Sequence, residues 1–385
     1  MSPFINSLLI FLILFFSCHS GKKVNPDSYG VKATDAQLAF PLDEKTKIYI
    51  YSMQAYTDAN GEEYLVFQNE RYLDLLFYNM KTQKLYKKIH CAYEGPDGVP
   101  KFSGFFVRNM DEIYVTHSNY DGITIINGEG KPVKTYRTKS KEGKGISTTV
   151  AVANNLIREI NNILYIPLGI NWYYGGNLKF QKSNLCATLN LENKKIEALP
   201  LTYLDVIGKE DENIFTMVHS RCTDGEQFVY SFHDTEDIYV TDLAHTTLQK
   251  IKSKSKYLSP LEFKPKKRGY ATADNCTSMT EPRYGNILYD PYRKVYYRIA
   301  FPKADIEKGI NCFELSSFEG KNFSIIVLNE DFEIIGETLM PDYTYNPKLC
   351  FVRSDGLYIS ESHVLNPAFD ENKLCFRKME LVKKK

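Results

Sequence analysis

The feature that most constrains this chain is a strand–turn–strand unit repeated along its whole length. It reads first as Leu75-Leu76-Phe77-Tyr78, a polar turn from Asn79 to Lys84, and then Leu85-Tyr86. It returns as Ile123–Ile126 before Asn127, Ala187–Leu189 before Asn190, Ile238–Thr241 before Asp242, and Ile325–Leu328 before Asn329. A last copy, Leu374-Cys375-Phe376-Arg377, runs into the C-terminus. The runs are short, β-branched or aromatic, and bounded by turn residues, which is strand chemistry. Helical periodicity is nearly absent. Repeated antiparallel sheets set around an axis are the propeller solution to such a pattern. Repetition across the whole chain argues against a sandwich.

Six copies predict an all-β, six-bladed β-propeller of four-stranded antiparallel blades. Each unit then spans about 61 residues, longer than the roughly 40–45 of a WD40 blade, so the surplus falls in loops. Seven blades also fit this length. Ring closure needs both termini in one blade, and the strand from Phe376 to Leu381 is expected to pair with one from Val31 to Phe40.

The N-terminus carries a second signal. Leu8–Phe16 is a nine-residue apolar run followed by Ser17-Cys18. A membrane-spanning helix needs roughly 20 residues, whereas a short apolar stretch at this place marks a secretory signal peptide. Phe15-Phe16-Ser17-Cys18 is similar to a bacterial lipobox, in which a small residue precedes the cysteine that is lipidated. Phe15 stands where Leu is usual, and no Lys or Arg precedes the run. The expected organisation is a signal peptide at 1–17, a flexible tether at 18–30 and one propeller domain at 31–385. Cys18 is the predicted lipidation site. The expected location is the bacterial cell envelope, lipid-anchored, on the periplasmic side or at the outer membrane.

Charge excludes one class of partner. Lys+Arg 48 against Asp+Glu 47 leaves a net charge of +1, with no basic field to gather nucleic acid. Of eight cysteines, seven remain beyond Cys18, none in a CxxC. Several sit in strand-like runs, where a thiol is commonly a small buried hydrophobe. One or two disulfides are compatible with an oxidising compartment.

Three stretches carry a family resemblance: Glu94–Val99, Ser103–Asn109 and Tyr284–Arg298. They resemble a family of uncharacterised Bacteroidota lipoproteins, six-bladed propellers of unknown function. The resemblance covers nearly the whole mature chain. It implies the fold and the envelope and carries over no catalytic residue.

In a propeller blade, the loops joining the second and third strands all emerge on one face. These 2–3 loops are expected at 69–72, 117–121, 169–184, 233–236, 302–321 and 361–373. They vary greatly in length, and function in repeat folds tends to sit on the face carrying insertions. The candidate ligand-binding residues are Arg71, His117, Trp172, Tyr173, Tyr174, His233 and His363. Trp172, the only tryptophan, and its two tyrosine neighbours lie beside Gly175-Gly176, where they would either stack on a flat or sugar-like ligand or plug the loop onto its blade. His117, His233 and His363 could surround the axis as metal ligands, although turn residues that the repeat places alike are the simpler reading. His219 and Cys222 have His-x-x-Cys spacing, but two ligands do not make a zinc site. No nucleophile elbow, HExxH, P-loop or GxGxxG is present. No catalytic residue, metal or cofactor is therefore predicted. The expected function is an envelope binding or scaffolding module for a protein or carbohydrate partner. The alternative is a propeller hydrolase or lyase with an axial polar or metal site.

Overall fold

The structure is a computed structural model and describes residues 25–117, 122–138, 152, 153, 155–168, 183–207, 218–261 and 276–384. The chain enters through β1 (Tyr29–Pro41). A first meander follows: β2 (Met53–Thr57), β3 (Glu63–Asn69), β4 (Asp74–Asn79) and β5 (Lys84–His90). The second is β6 (Phe102–Asn109), β7 (Glu112–His117), β8 (Gly122–Ile126) and β9 (Pro132–Arg137). The third is β10 (Arg158–Ile160), β11 (Ile163–Pro167), β12 (Cys186–Asn190) and β13 (Ile196–Ala198), followed by a short helix α1 (Tyr203–Ile207). The fourth is β14 (His219–Thr223), β15 (Gln227–Phe232), β16 (Asp237–Asp242) and β17 (Gln249–Lys252). Then come α2 (Thr277–Thr280), β18 (Arg283–Asp290), β19 (Val295–Phe301), α3 (Cys312–Ser316), β20 (Ser324–Leu328) and β21 (Ile334–Leu339). The chain ends with β22 (Asn346–Arg353), β23 (Gly356–Ser360) and β24 (Lys373–Lys383).

Among the described residues these strands form four four-stranded sheets and one eight-stranded sheet, ordered β18-β19-β20-β21-β1-β24-β23-β22. The fold is all-β and propeller-like. The termini meet as expected. β1 runs antiparallel to β24, with Val31 opposite Leu381 and Phe40 opposite Leu374. The other edge of β1 meets β21 at a single parallel position, Tyr29 opposite Gly336. A Cβ at Gly336 would lie 2.2 Å from the Tyr29 carbonyl oxygen, so only glycine admits this junction.

The repeated unit has a local cause. Each outer hairpin turn opens on an Asn or Asp whose side-chain oxygen accepts backbone N–H groups inside the turn. Asn79 takes Lys81 and Thr82, Asn127 takes Glu129 and Lys131, Asn190 takes Glu192 and Asn193, Asp242 takes Thr246 and Thr247, and Asn329 takes Glu333. This is the Asx-turn chemistry that favours these residues over strand or helix continuation. Each turn also contains a left-handed residue, namely Gln83, Gly130, Lys194, His245 or Phe332.

Strand alternation sends successive side chains to opposite sheet faces. Leu65, Phe67, Leu76 and Tyr78 pack towards Leu349, Phe351 and Phe376, while Val66, Leu75 and Phe77 pack towards Phe105, Val107 and Val115. Buried apolar residues thus form successive cores between neighbouring sheets rather than one central core. Innermost strands are also tied to each other across sheets. Gln54 Nε2 donates to Val107 O (3.1 Å) and its Oε1 accepts from Val107 N (2.8 Å). Ser220 Oγ accepts from Ile287 N (3.0 Å), and Asn286 Nδ2 donates to Pro347 O (2.9 Å).

Cys276 and Cys312 form a disulfide. Cys91, Cys186, Cys222 and Cys350 are buried free thiols, and Cys375 is half-buried. Burial pushes the Cys91 and Cys350 thiols up to about 12, which makes them poor nucleophiles.

Candidate functional site at the 2–3 loop mouth

Among the described residues, the loops between second and third strands fall where the repeat places them: 70–73, 233–236, 302–323 and 361–372; 118–121 and 169–182 lie outside the described residues. The sheet-to-sheet connections open on the same face. Described residues between β9 and β10 make contacts on it. Ala153 N donates to Tyr51 O (2.8 Å) at the lead-in to β2, and Asn155 Nδ2 donates to His219 Nε2 (3.1 Å) at the start of β14. These few residues therefore reach between inner strands of sheets that are not neighbours.

Around them lies a charged cluster built from three sheets, with Arg283, Glu319 and Lys348 on the eight-stranded one. Arg283, the first residue of β18, donates through Nη2 to Glu319 O (2.7 Å) and Glu319 Oε2 (3.3 Å), with its guanidinium 3.9 Å from the Phe301 ring centroid. Burial opposes charge on Glu319. Arg283 first, then Lys348 and His233, nonetheless hold its carboxyl below the usual range. Its side chain keeps 23% of its exposure. On β22, Lys348 places its ammonium 4.5 Å from the Tyr51 ring centroid. Glu70, in the first 2–3 loop, is half-buried, and that burial raises its pKa against the pull of Lys101 and Lys348.

The positions of these groups are enforced from behind. His363 Nε2 donates to Gly320 O (2.9 Å) and its Nδ1 accepts from Leu365 N (3.2 Å), which joins the two longest described loops beside Glu319. The disulfide holds α3 to the segment before β18. Asn311 caps α3 by accepting from Phe313 N and Glu314 N. Arg298, fully buried on β19, donates to the carbonyls of Thr235, Glu236 and Asp237, fixing the loop that begins at His233.

The sequence-selected residues are distributed unevenly. Arg71 is exposed in its loop, with its guanidinium 5.5 Å from the Tyr72 ring centroid. His233 is half-buried at the mouth and within the electrostatic reach of Glu319. His117 is fully buried beneath the face, its Nδ1 donating to Pro100 O (3.1 Å) and its Nε2 accepting from Thr124 Oγ1 (2.8 Å). His363 is likewise fully buried, so both serve as internal ties rather than open ligand groups. Burial lowers both imidazole pKa values. Among the described residues no three His, Cys, Asp or Glu side chains converge on a metal position. His219 packs among Tyr203, Tyr230 and Phe232, while Cys222 faces the next core, as odd spacing on a strand requires. Cys18, Trp172, Tyr173 and Tyr174 lie outside the described residues. Sequence reading missed Arg283, Glu319, Lys348 and Tyr51. The available signal was the start of each inner strand, which opens on the same face as the 2–3 loops.

A family model described as a domain of unknown function, DUF4221, matches residues 29–339. The chain belongs to the DUF4221 family. A DUF4221 member from Bacteroides vulgatus, known from a crystal structure, shares 29% identity and superposes with a TM-score of 0.80, covering 94% of this chain and 100% of that one. A protein from Bacteroides fragilis matches at 10% identity and a TM-score of 0.52 over 94% of this chain and 98% of that one. Virginiamycin B lyase from Staphylococcus aureus matches at 11% identity and a TM-score of 0.44 over 92% of this chain and all of that one. A comparison with curated proteins finds no match. The DUF4221 likeness carries the fold along the whole described chain and assigns no chemistry to the mouth.

Proposed function

We propose that this DUF4221 protein is a lipid-anchored envelope protein whose six-bladed propeller holds a protein or glycan partner on its 2–3 loop face. The count of six treats the eight-stranded sheet as two blades. Only one parallel position joins its halves, and each half is an antiparallel set of four. The observation that carries the function is the mouth, where Glu70 from the first sheet, His233 from the fourth, and Arg283, Glu319 and Lys348 from the eight-stranded sheet come to one partly open polar cluster. Clustered polar groups on loops held by a rigid scaffold are the usual layout of a binding site. The opposite turns are short and closed by their own Asx side chains. The Cys276–Cys312 bond fits export, since disulfides persist in oxidising compartments.

Cross-linking of the full-length protein in its envelope, with identification of bound protein and glycan, tests this. Arg71→Glu with Lys348→Glu should lose the captured partner, while Lys84→Glu on β5 should keep it. Capture indifferent to the mouth variants would refute the reading. Release of product from envelope glycan by the purified protein would replace it with the hydrolase or lyase reading. Cys18→Ala should move the mature protein from membranes to the soluble fraction; unchanged partition would remove the lipid anchor.

A further inference from the structure

We infer that the mouth selects a saccharide bearing carboxylate groups, with Tyr51 as the stacking platform and Lys348 as the pairing charge. This rests on the binding reading above and names its ligand class. The segment before β2 alternates like a strand. Ile48 and Ile50 are buried and root the segment, which turns Tyr49 and Tyr51 outward, each 41% exposed. Tyr49 is fixed in place, its hydroxyl donating to Glu314 Oε1 (3.1 Å) and its ring 5.6 Å from that of Phe318. Tyr51 is fixed through its backbone by Ala153. Phe313 on α3, beside Glu314, is 65% exposed. The rim thus presents flat aromatic faces on backbone that is already ordered, so binding costs little conformational entropy.

Charge supplies the selection. Several cations near this face are matched: Arg283 with Glu319, Lys321 with Glu307, and Arg377 with Glu361. Lys348, Lys101 and Arg71 have no carboxylate within ion-pair distance among the described residues, and of these Lys348 lies against Tyr51. The Lys348 ammonium instead lies over one face of the Tyr51 ring, which stays partly exposed, so a ligand group against the exposed part of the ring is also within reach of that charge. A pyranose ring offers C–H groups to an aromatic face, and its hydroxyls can donate to carboxylates such as Glu314. A neutral sugar would use the tyrosines and leave Lys348 with only the longer-range attraction of Glu70 and Glu319. An acidic peptide would use the lysines without needing fixed flat rings. A saccharide carrying carboxylates uses both features at once.

The test is calorimetric titration of the full chain in detergent with oligogalacturonate, oligosialate and chondroitin fragments, alongside neutral galactose oligomers and hexaglutamate. At least one acidic saccharide should bind, and more weakly as salt rises. Lys348→Gln and Tyr51→Ala should each weaken it by about tenfold or more, equivalent to about 1.4 kcal/mol. Tyr51→Phe should retain affinity because it keeps the ring, and Lys84→Gln should change nothing. Unaltered melting curves would show that the Lys348 and Tyr51 effects are local. Equal affinity for neutral oligomers, hexaglutamate binding that depends equally on Lys348, or no binding by any acidic saccharide would each overturn the inference. A partner captured in the envelope through the mouth would still uphold the binding reading in those cases.

Discussion

Arg298 places a guanidinium in a dry core with no carboxylate to receive it. All five N–H donors are nevertheless used: Nε on Ser231 Oγ, Nη1 on the carbonyls of Glu236 and Ser253, and Nη2 on those of Thr235 and Asp237. The group also lies 3.7 Å from the Tyr284 ring centroid. Burial pushes its pKa down to about 10, which still leaves it charged at neutral pH. A lysine offers three donors without the planar fork. Arg298→Lys should therefore lower stability by about 2–4 kcal/mol, because several buried carbonyls lose their partners; a urea midpoint within error of wild type would disprove this role. His245 gives a pH-dependent counterpart. It is buried in the β16–β17 turn, its Nε2 accepting from Tyr230 OH (2.6 Å). Burial first, and Arg221 second, lower its pKa from 6.5 to about 4. Below the ordinary histidine pKa the unfolded chain takes up a proton that the folded chain refuses, so acid favours unfolding. Stability should fall between pH 6.5 and 4 by about 3 kcal/mol from this group. Urea unfolding across that range should show a smaller acid loss in His245→Asn, which keeps a residue tolerant of the left-handed backbone.

At the scale of elements, the turns explain why the repeat was readable and why glycine was a poor guide to it. Of the five left-handed turn residues only Gly130 is glycine. A Cβ there would lie 2.1 Å from His90 O, whereas Gln83 and Lys194 adopt the same conformation with full side chains. Their turns are recognised by the opening Asn or Asp instead. The Cys276–Cys312 bond acts on a different element, the long loop carrying α3 and Glu319. Its 36-residue separation should contribute about 3–4 kcal/mol by restricting the unfolded chain. The double variant Cys276→Ser with Cys312→Ser should lower the melting temperature accordingly. A melting curve unaffected by both changes and by reductant would show that the bond contributes nothing.

At the scale of the molecule, β1 is the closing element. It completes the last four-strand set against β24 and touches the preceding one through Gly336. Deleting residues from Phe376 onward should remove most of the strand that pairs with β1, together with the packing of Phe376 in one core and Met379 in the next. The truncated chain would expose long strand edges and should lose cooperative unfolding. A monomeric truncation with the full-length melting curve would contradict ring closure as the source of cooperativity.

The sequence by itself determined the strands, their outer turns, the pairing of the two ends and the positions of the 2–3 loops. Each depends on residues close in the chain or on a repeat of them: alternation chooses the faces, Asx side chains close the turns, and apolar runs mark what must be covered. Tertiary structure alone decided the mouth. Arg71 and His233 are candidates from sequence because they sit in repeat-defined loops, but Arg283 meets Glu319 across 36 residues, and Lys348 meets Tyr51 from the far end of the chain. No local pattern encodes those meetings: the first forms when the long β19–β20 loop folds back over the start of β18, and the second only when two sheets are set side by side. In sequence His117 and His363 read like loop histidines, yet folding buries each against a carbonyl distant in the chain: Pro100 at the lead-in to the sheet of His117, and Gly320 in the four-strand set before that of His363.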